Sequence, residues 1–246
     1  MAKLNKGIVN RAVVTPDKHF PFHCKKAINI VCQVIEIVKP TIYVDLGDTG
    51  EWEHFSNHYW KGRNKKPMED LIPLLDKDVK DVNNGMDIID ASLDKVECKT
   101  RHFVQGNEVW LDNFVVRYPY LSHYKTENAL KIKQRGYKYH PYFRRKLLKI
   151  GKLNFTHGHK TGMHHAKAHL SSYKESIMYG HTHDLQRYTD TGVGGTMSAW
   201  SMGCLKDIKK DEDWLRGNLT NWNHAVAIID FFSNGNYIVH VLEIID

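Results

Sequence analysis

Five strand-like runs in this chain each stop at residues of the kind that bind metal ions, and that recurrence constrains the fold more than anything else in the sequence. Residues 8–15 (IVNRAVVT) are rich in β-branched side chains and lead, after Pro16, to Asp17 and His19. Residues 41–46 (TIYVDL) lead to Gly47-Asp48, and residues 100–105 (TRHFVQ) to Gly106-Asn107. The apolar run 147–156 leads to His157-Gly158-His159, and residues 176–179 (SIMY) lead to Gly180-His181-Thr182-His183. Side chains this far apart in sequence can converge beyond the carboxyl ends of strands, which is where open α/β sheets bind their ligands.

The segments between these runs fit such a sheet. Residues 24–38 place Ile28, Val31, Cys32, Ile35 and Val38 at helical spacing, and Pro40 closes the helix. With its flanking strands this makes a βαβ unit. Residues 66–93 read as a long amphipathic helix built on Leu71, Leu74, Leu75, Val79 and Val82, with Asn83-Asn84-Gly85 as a candidate break. Residues 110–118 read as a further helix ending near Pro119. Two β-rich runs, 225–232 and 237–245, are joined by Ser233-Asn234-Gly235-Asn236, and Asn-Gly is a strong hairpin signal. The expected fold class is α/β with a C-terminal β-hairpin, in a single domain spanning 1–246.

Charge and composition narrow the partners. The net charge of +7 is concentrated in residues 124–152, where Lys125, Lys131, Lys133, Arg135, Lys138, Arg144, Arg145, Lys146, Lys149 and Lys152 face the single acid Glu127. Tyr124, Tyr137, Tyr139, Tyr142 and Phe143 are interleaved with them. Two readings stay open: a surface that tracks a phosphate backbone and stacks bases, or a solvated face with tyrosines packed beneath it. The four cysteines are scattered without paired spacing, which suits reduced thiols and argues against a structural zinc site. No apolar run approaches membrane-spanning length and the first residues hold no signal-peptide core, so a cytoplasmic protein without a membrane partner is expected.

Taken singly, each candidate ligand has a plain reading. Asp17 and Asp48 can cap helices, Asn107 can sit in a turn, and His157 and His159 can be loop histidines. The joint pattern decides against accident, and sixteen histidines supply the donors. Carboxylate, imidazole and carboxamide without thiolate suit a borderline divalent metal.

In this order the motifs resemble the calcineurin-like metallophosphoesterases, whose signature runs Asp-x-His, Gly-Asp, Gly-Asn-His, His-Gly-His and Gly-His-x-His. Here the blocks read Asp17-Lys18-His19, Gly47-Asp48, Gly106-Asn107-Glu108, His157-Gly158-His159 and Gly180-His181-Thr182-His183, and Ser201-Met202-Gly203-Cys204 resembles the strand and turn that follow. The resemblance implies a β-sandwich flanked by helices. It also implies two divalent metals, manganese first with iron, zinc or nickel as alternatives. One would be held by Asp17, His19 and His183, the other by Asn107, His157 and His181, with Asp48 bridging. The implied activity is hydrolysis of a phosphate ester by a metal-bridging hydroxide.

One block departs from the family. The residue after Asn107 is Glu108 where the family has the histidine that protonates the leaving group. Three readings of the donor stay open: Glu108 itself, a nearby histidine such as His159 or His58, or a weak catalyst without one, since losing an acid typically costs about 10²–10⁴-fold in rate. The His- and aromatic-rich stretch 49–60 is expected to line the substrate pocket, with His54 and His58 near the phosphate and Trp52 or Tyr59 as a stacking surface. The expected substrate is a nucleic-acid or nucleotide phosphodiester. The alternative is a non-catalytic metal-binding or nucleic-acid-binding scaffold on the same fold.

Overall fold

The computed structural model describes residues 7–143, 146–210, 215 and 217–245. Two mixed sheets face each other. The first has the order β11-β10-β1-β2-β3-β4, built from β1 (Ile8–Thr15), β2 (Ile42–Asp45), β3 (Thr100–Val104), β4 (Tyr137–His140), β10 (His224–Phe232) and β11 (Tyr237–Ile244). β1 to β4 run parallel, while β10 and β11 form the antiparallel C-terminal hairpin. The second sheet has the order β5-β6-β7-β9-β8, from β5 (Leu148–Ile150), β6 (Leu153–Phe155), β7 (Ile177–Tyr179), β8 (Leu185–Gly192) and β9 (Gly195–Met202).

The layers follow from strand periodicity. In β1, Ala12 and Val14 point into the seam between the sheets with Val44, Phe155, Met178 and Ala227. Val13 points the other way, onto a core shared with helices α1 (Lys25–Val38), α2 (Met68–Lys95) and α3 (Trp110–Arg117). α1 buries Ala27, Ile28, Val31 and Ile35, the stripe that its spacing predicts. After the short helix α4 (Thr126–Ala129), helix α5 (His165–Tyr173) covers the outer face of the second sheet through Ala166 and Leu170. The order is therefore helices, sheet, sheet, helix, an α/β sandwich with both sheets covered. Among the described residues no helix is long and apolar enough to cross a membrane.

Two local expectations are corrected, and one open reading is narrowed. α2 runs unbroken through Asn83-Asn84-Gly85. The Asn83 amide donates to the Val79 carbonyl in its own helix (2.8 Å) and to the Ala129 carbonyl (2.9 Å), and the ring of Phe20 fills the space a Gly85 side chain would need. Tertiary contacts thus override the turn propensity. The apolar run 147–156 turns back on itself as the β5–β6 hairpin. The tyrosines of the basic segment go inward: Tyr124 donates to Asp76 (2.6 Å) and Tyr137 to Asp90 (2.8 Å), while Arg135 pairs with Asp87 (2.7 Å) and Asp90. Lys125, Lys131, Lys133 and Lys138 stand exposed; Arg144 and Arg145 lie outside the described residues.

Candidate metal centre

The carboxyl ends of β1, β2 and β3 in one sheet and of β6 and β7 in the other meet at one place. Asp17 and His19 follow β1, Asp48 follows β2, and Asn107 and Glu108 follow β3. His157 follows β6, and His181 and His183 follow β7. Asp17, His19, Asp48, His157 and His183 are all buried. Ligand-type atoms of Asp17, His19 and His183 fall within 4.8 Å of one another, as do those of Asp48, His157 and His181.

The loops are held tightly. Backbone N–H groups of Lys18 and His19 both donate to the Asp48 carbonyl (3.1 and 3.0 Å), and the N–H of Phe20 to that of Thr49 (2.9 Å). His19, Asp48, His181 and His183 all adopt positive φ (50°, 40°, 73° and 62°), a conformation that costs non-glycine residues energy and clusters at functional sites. Two glycines permit close approach. A Cβ on Gly106 would fall 1.8 Å from Asp48 Oδ1, and one on Gly180 would fall 2.0 Å from Asp17 Oδ1.

Ring orientations expose lone pairs to the centre. His157 donates from Nδ1 to the Leu46 carbonyl (2.9 Å); in the neutral ring Nε2 then carries the lone pair, and it faces Asn107 Oδ1 (2.8 Å) and Asp48 Oδ2 (3.0 Å). His19 donates from Nδ1 to Glu51 Oε2 (2.9 Å), which turns its Nε2 toward Nε2 of His183 at 3.2 Å. His183 Nε2 is also 3.1 Å from Asp17 Oδ2. Acceptor thus faces acceptor at two points, an arrangement that needs a proton or a cation between the atoms. Partners on the far nitrogen that fix the tautomer are what metal-ligating histidines have. The residues therefore fit two divalent cations.

Electrostatics agree. Burial opposes the ionised forms of Asp17 and Asp48, but the surrounding histidines, His157 foremost, outweigh it and hold both carboxyls below their usual range. His157 is buried too, yet Asp48 and Asp17 raise its pKa. Burial, then the charge of His157, lowers His181 to about 4, so it is neutral and able to ligate at pH 7. Burial, then Asp48 and Glu51, pushes the Glu108 carboxyl well up.

A cavity of about 810 Å³ opens onto this cluster, lined by His19, Asp48, Asn107, Glu108, His181 and His183 among others. His159 is not part of its lining: its backbone N–H donates to Nε2 of His169 (3.1 Å), and its ring packs against His169 and Tyr173. Of the stretch 49–60, Glu51 lines it, but the histidines and aromatics expected there do not. Asp78 of α2 captures His54 through its backbone N–H (2.9 Å) and its ring (2.8 Å), and Trp52 is buried against Phe55. His58 packs edge-on to Trp110, and Tyr59 lies under Arg63.

Four residues that are not among the candidate ligands hold the centre in place. Lys18 and Asp45 tie together the loops after β1 and β2. Glu51 holds His19 and also accepts from Lys206 Nζ (2.9 Å), a buried cation on the cavity wall. Only position gave a signal: Lys18 lies inside the first motif, and Asp45 stands three residues before Asp48.

No protein-family model matches the sequence, and no curated protein does. Solved structures are similar over nearly the whole chain. Yfce, a phosphoesterase from E. coli, is 16% identical over 96% of this chain and 100% of its own, with a TM-score of 0.40. A dimetal phosphatase from Danio rerio is 11% identical over 96% and 99%, with a TM-score of 0.46. Vps29 from Chaetomium thermophilum is 10% identical over 96% and 97%, with a TM-score of 0.42. Two facing sheets covered by helices, with the site where strand ends converge, are the architecture that the order of the motifs implies.

Proposed function

We propose that this chain is a metal-dependent phosphoesterase that works as one domain in the cytoplasm and hydrolyses a nucleic-acid or nucleotide phosphodiester. The observation that carries the reading is the opposition of lone pairs in the buried cluster, Nε2 of His19 against Nε2 of His183 and Nε2 of His157 against Asp48 and Asn107. Asp17, His19 and His183 would hold one divalent cation, Asn107, His157 and His181 the second, and Asp48 would serve both. Two such cations, with manganese favoured, supply a water-derived nucleophile at neutral pH and neutralise charge on the phosphoryl oxygens.

The protein's own groups do the rest. The Glu108 N–H on Asp48 Oδ1 (3.2 Å) orients that carboxylate, and the Leu46 carbonyl keeps the His157 lone pair aimed inward. Lys206 adds positive charge on the cavity wall, which favours an anionic substrate. Exposed lysines at 125, 131, 133 and 138 and the net charge of +7 support a polyanionic substrate over a neutral one.

The test is hydrolysis of bis-p-nitrophenyl phosphate by metal-stripped protein with manganese titrated back. Turnover should return with the metal and vanish in Asp48→Asn and His181→Ala. Two bound ions without turnover would instead identify a binding protein on a phosphoesterase frame.

A further inference from the structure

We infer that Glu108 is an additional metal ligand, its carboxylate completing the coordination of the ion held by Asp17, His19 and His183, and that it is not the proton donor for the leaving group. The inference rests on the dimetal reading of the site. Glu108 stands where the cluster is densest: its ligand-type atoms and those of His19 and Asp48 all lie within 4.8 Å of one another. Its Oε2 is buried and makes no hydrogen bond.

A buried carboxylate oxygen left without a partner is costly, and such groups in native proteins call for an explanation such as an ion. The Glu108 N–H donates to Asp48 Oδ1 (3.2 Å), which anchors the backbone of residue 108 beside the cluster. Lys206, the cation on the same wall, gives its hydrogen bond to Glu51 (2.9 Å). A divalent cation between His19, Asp48 and Glu108 would satisfy the orphaned oxygen. A carboxylate bound to a cation in this way has no proton to give, so ligation and proton donation are alternative roles for Glu108. The extra hard oxygen donor would also bias the site toward manganese over zinc.

The experiment is Mn²⁺ binding to the metal-stripped full chain by calorimetry, for wild type, Glu108→Gln and Glu108→His. Wild type should take up two ions. Glu108→Gln should weaken one of them by at least about tenfold and leave the other, since even outer-sphere partners are worth about 10–100-fold in metal affinity. Glu108→His, which restores a donor atom, should recover much of the loss. Superimposable isotherms for wild type and Glu108→Gln would overturn the inference, and would point to a proton donor if activity fell only on esters with poor leaving groups. Should Glu108→Gln fail to fold, Glu108→Ala decides: one ion weakened by at least about tenfold supports ligation, and isotherms superimposable on wild type overturn it. Wild type that binds no Mn²⁺ is a different failure, that of the dimetal reading itself.

Discussion

Lys18 and Asp45 form a buried ion pair, Nζ to Oδ1 at 2.7 Å, across the two loops that carry Asp17, His19 and Asp48. Each partner is fully engaged. Lys18 also donates to the Pro16 carbonyl (3.0 Å), and Asp45 accepts from the Gly47 N–H (2.9 Å) and the Thr49 hydroxyl (3.0 Å). The pair fixes the spacing between the ends of β1 and β2, and hence between the proposed ligands on them.

Removing one partner would strand a charge in the interior. Lys18→Met should therefore cost about 3–5 kcal/mol of unfolding free energy, the usual range for a broken buried pair. Urea denaturation of the metal-free protein reads this directly. A loss under about 1 kcal/mol would mean that the loops relax to admit water, and that the pair does not set their geometry.

Glu51 holds His19 at Nδ1 while also accepting from Lys206, so it decides which nitrogen of His19 is available to a metal. Glu51→Gln keeps the shape and removes the charge. Manganese affinity should fall by about 10–100-fold, as for other partners of ligating histidines, while the urea midpoint of the metal-free protein moves little. Unchanged affinity would show that His19 orients itself without help.

Much of this site was readable because strand ends leave a local mark: a β-branched run, a turn glycine and a ligand-type side chain all lie within a few residues. Asp17, His19, Asp48, Asn107, His157, His181 and His183 were all placed that way, and the structure brings them together. The failures share a cause of the opposite kind. His54 faces Asp78 from 24 residues away, and Glu51 faces Lys206 from 155 away, and neither partnership leaves a trace in local sequence. The 49–60 stretch was read as pocket because it follows Asp48 directly, but beyond Glu51, which reaches the cavity, Trp52, Phe55 and Trp60 join the helical core. The β8–β9 hairpin was passed over because β8 is largely exposed and carries few apolar residues.

Gly85 offers a test of packing against propensity. It lies inside α2, where alanine would ordinarily gain about 1 kcal/mol over glycine. Here a Cβ would fall 2.2 Å from the buried ring of Phe20, the residue after His19. Gly85→Ala should therefore destabilise by about 1–3 kcal/mol, the cost of overpacking a core. Thermal unfolding that is unchanged or raised would mean that Phe20 has room to shift.

His102 on β3 and His140 on β4 meet ring to ring, Nδ1 to Nε2 at 2.9 Å, away from the metal centre. Burial, then the charges of His140 and Lys138, lowers His102 to about 4, and burial lowers His140 as well. The unfolded chain titrates these groups near 6.5. Between about pH 6.5 and pH 4 these two groups therefore bind more protons in the unfolded state than in the folded one, and their contribution to stability falls as pH falls through that window and is level above it. Urea titrations in chelator at pH 7.5 and pH 5 should show the loss. His102→Asn, which leaves no imidazole at this position to charge, should shrink the difference between the two pH values. Equal differences in wild type and variant would mean that the histidine pair opens to solvent and titrates freely in the folded protein.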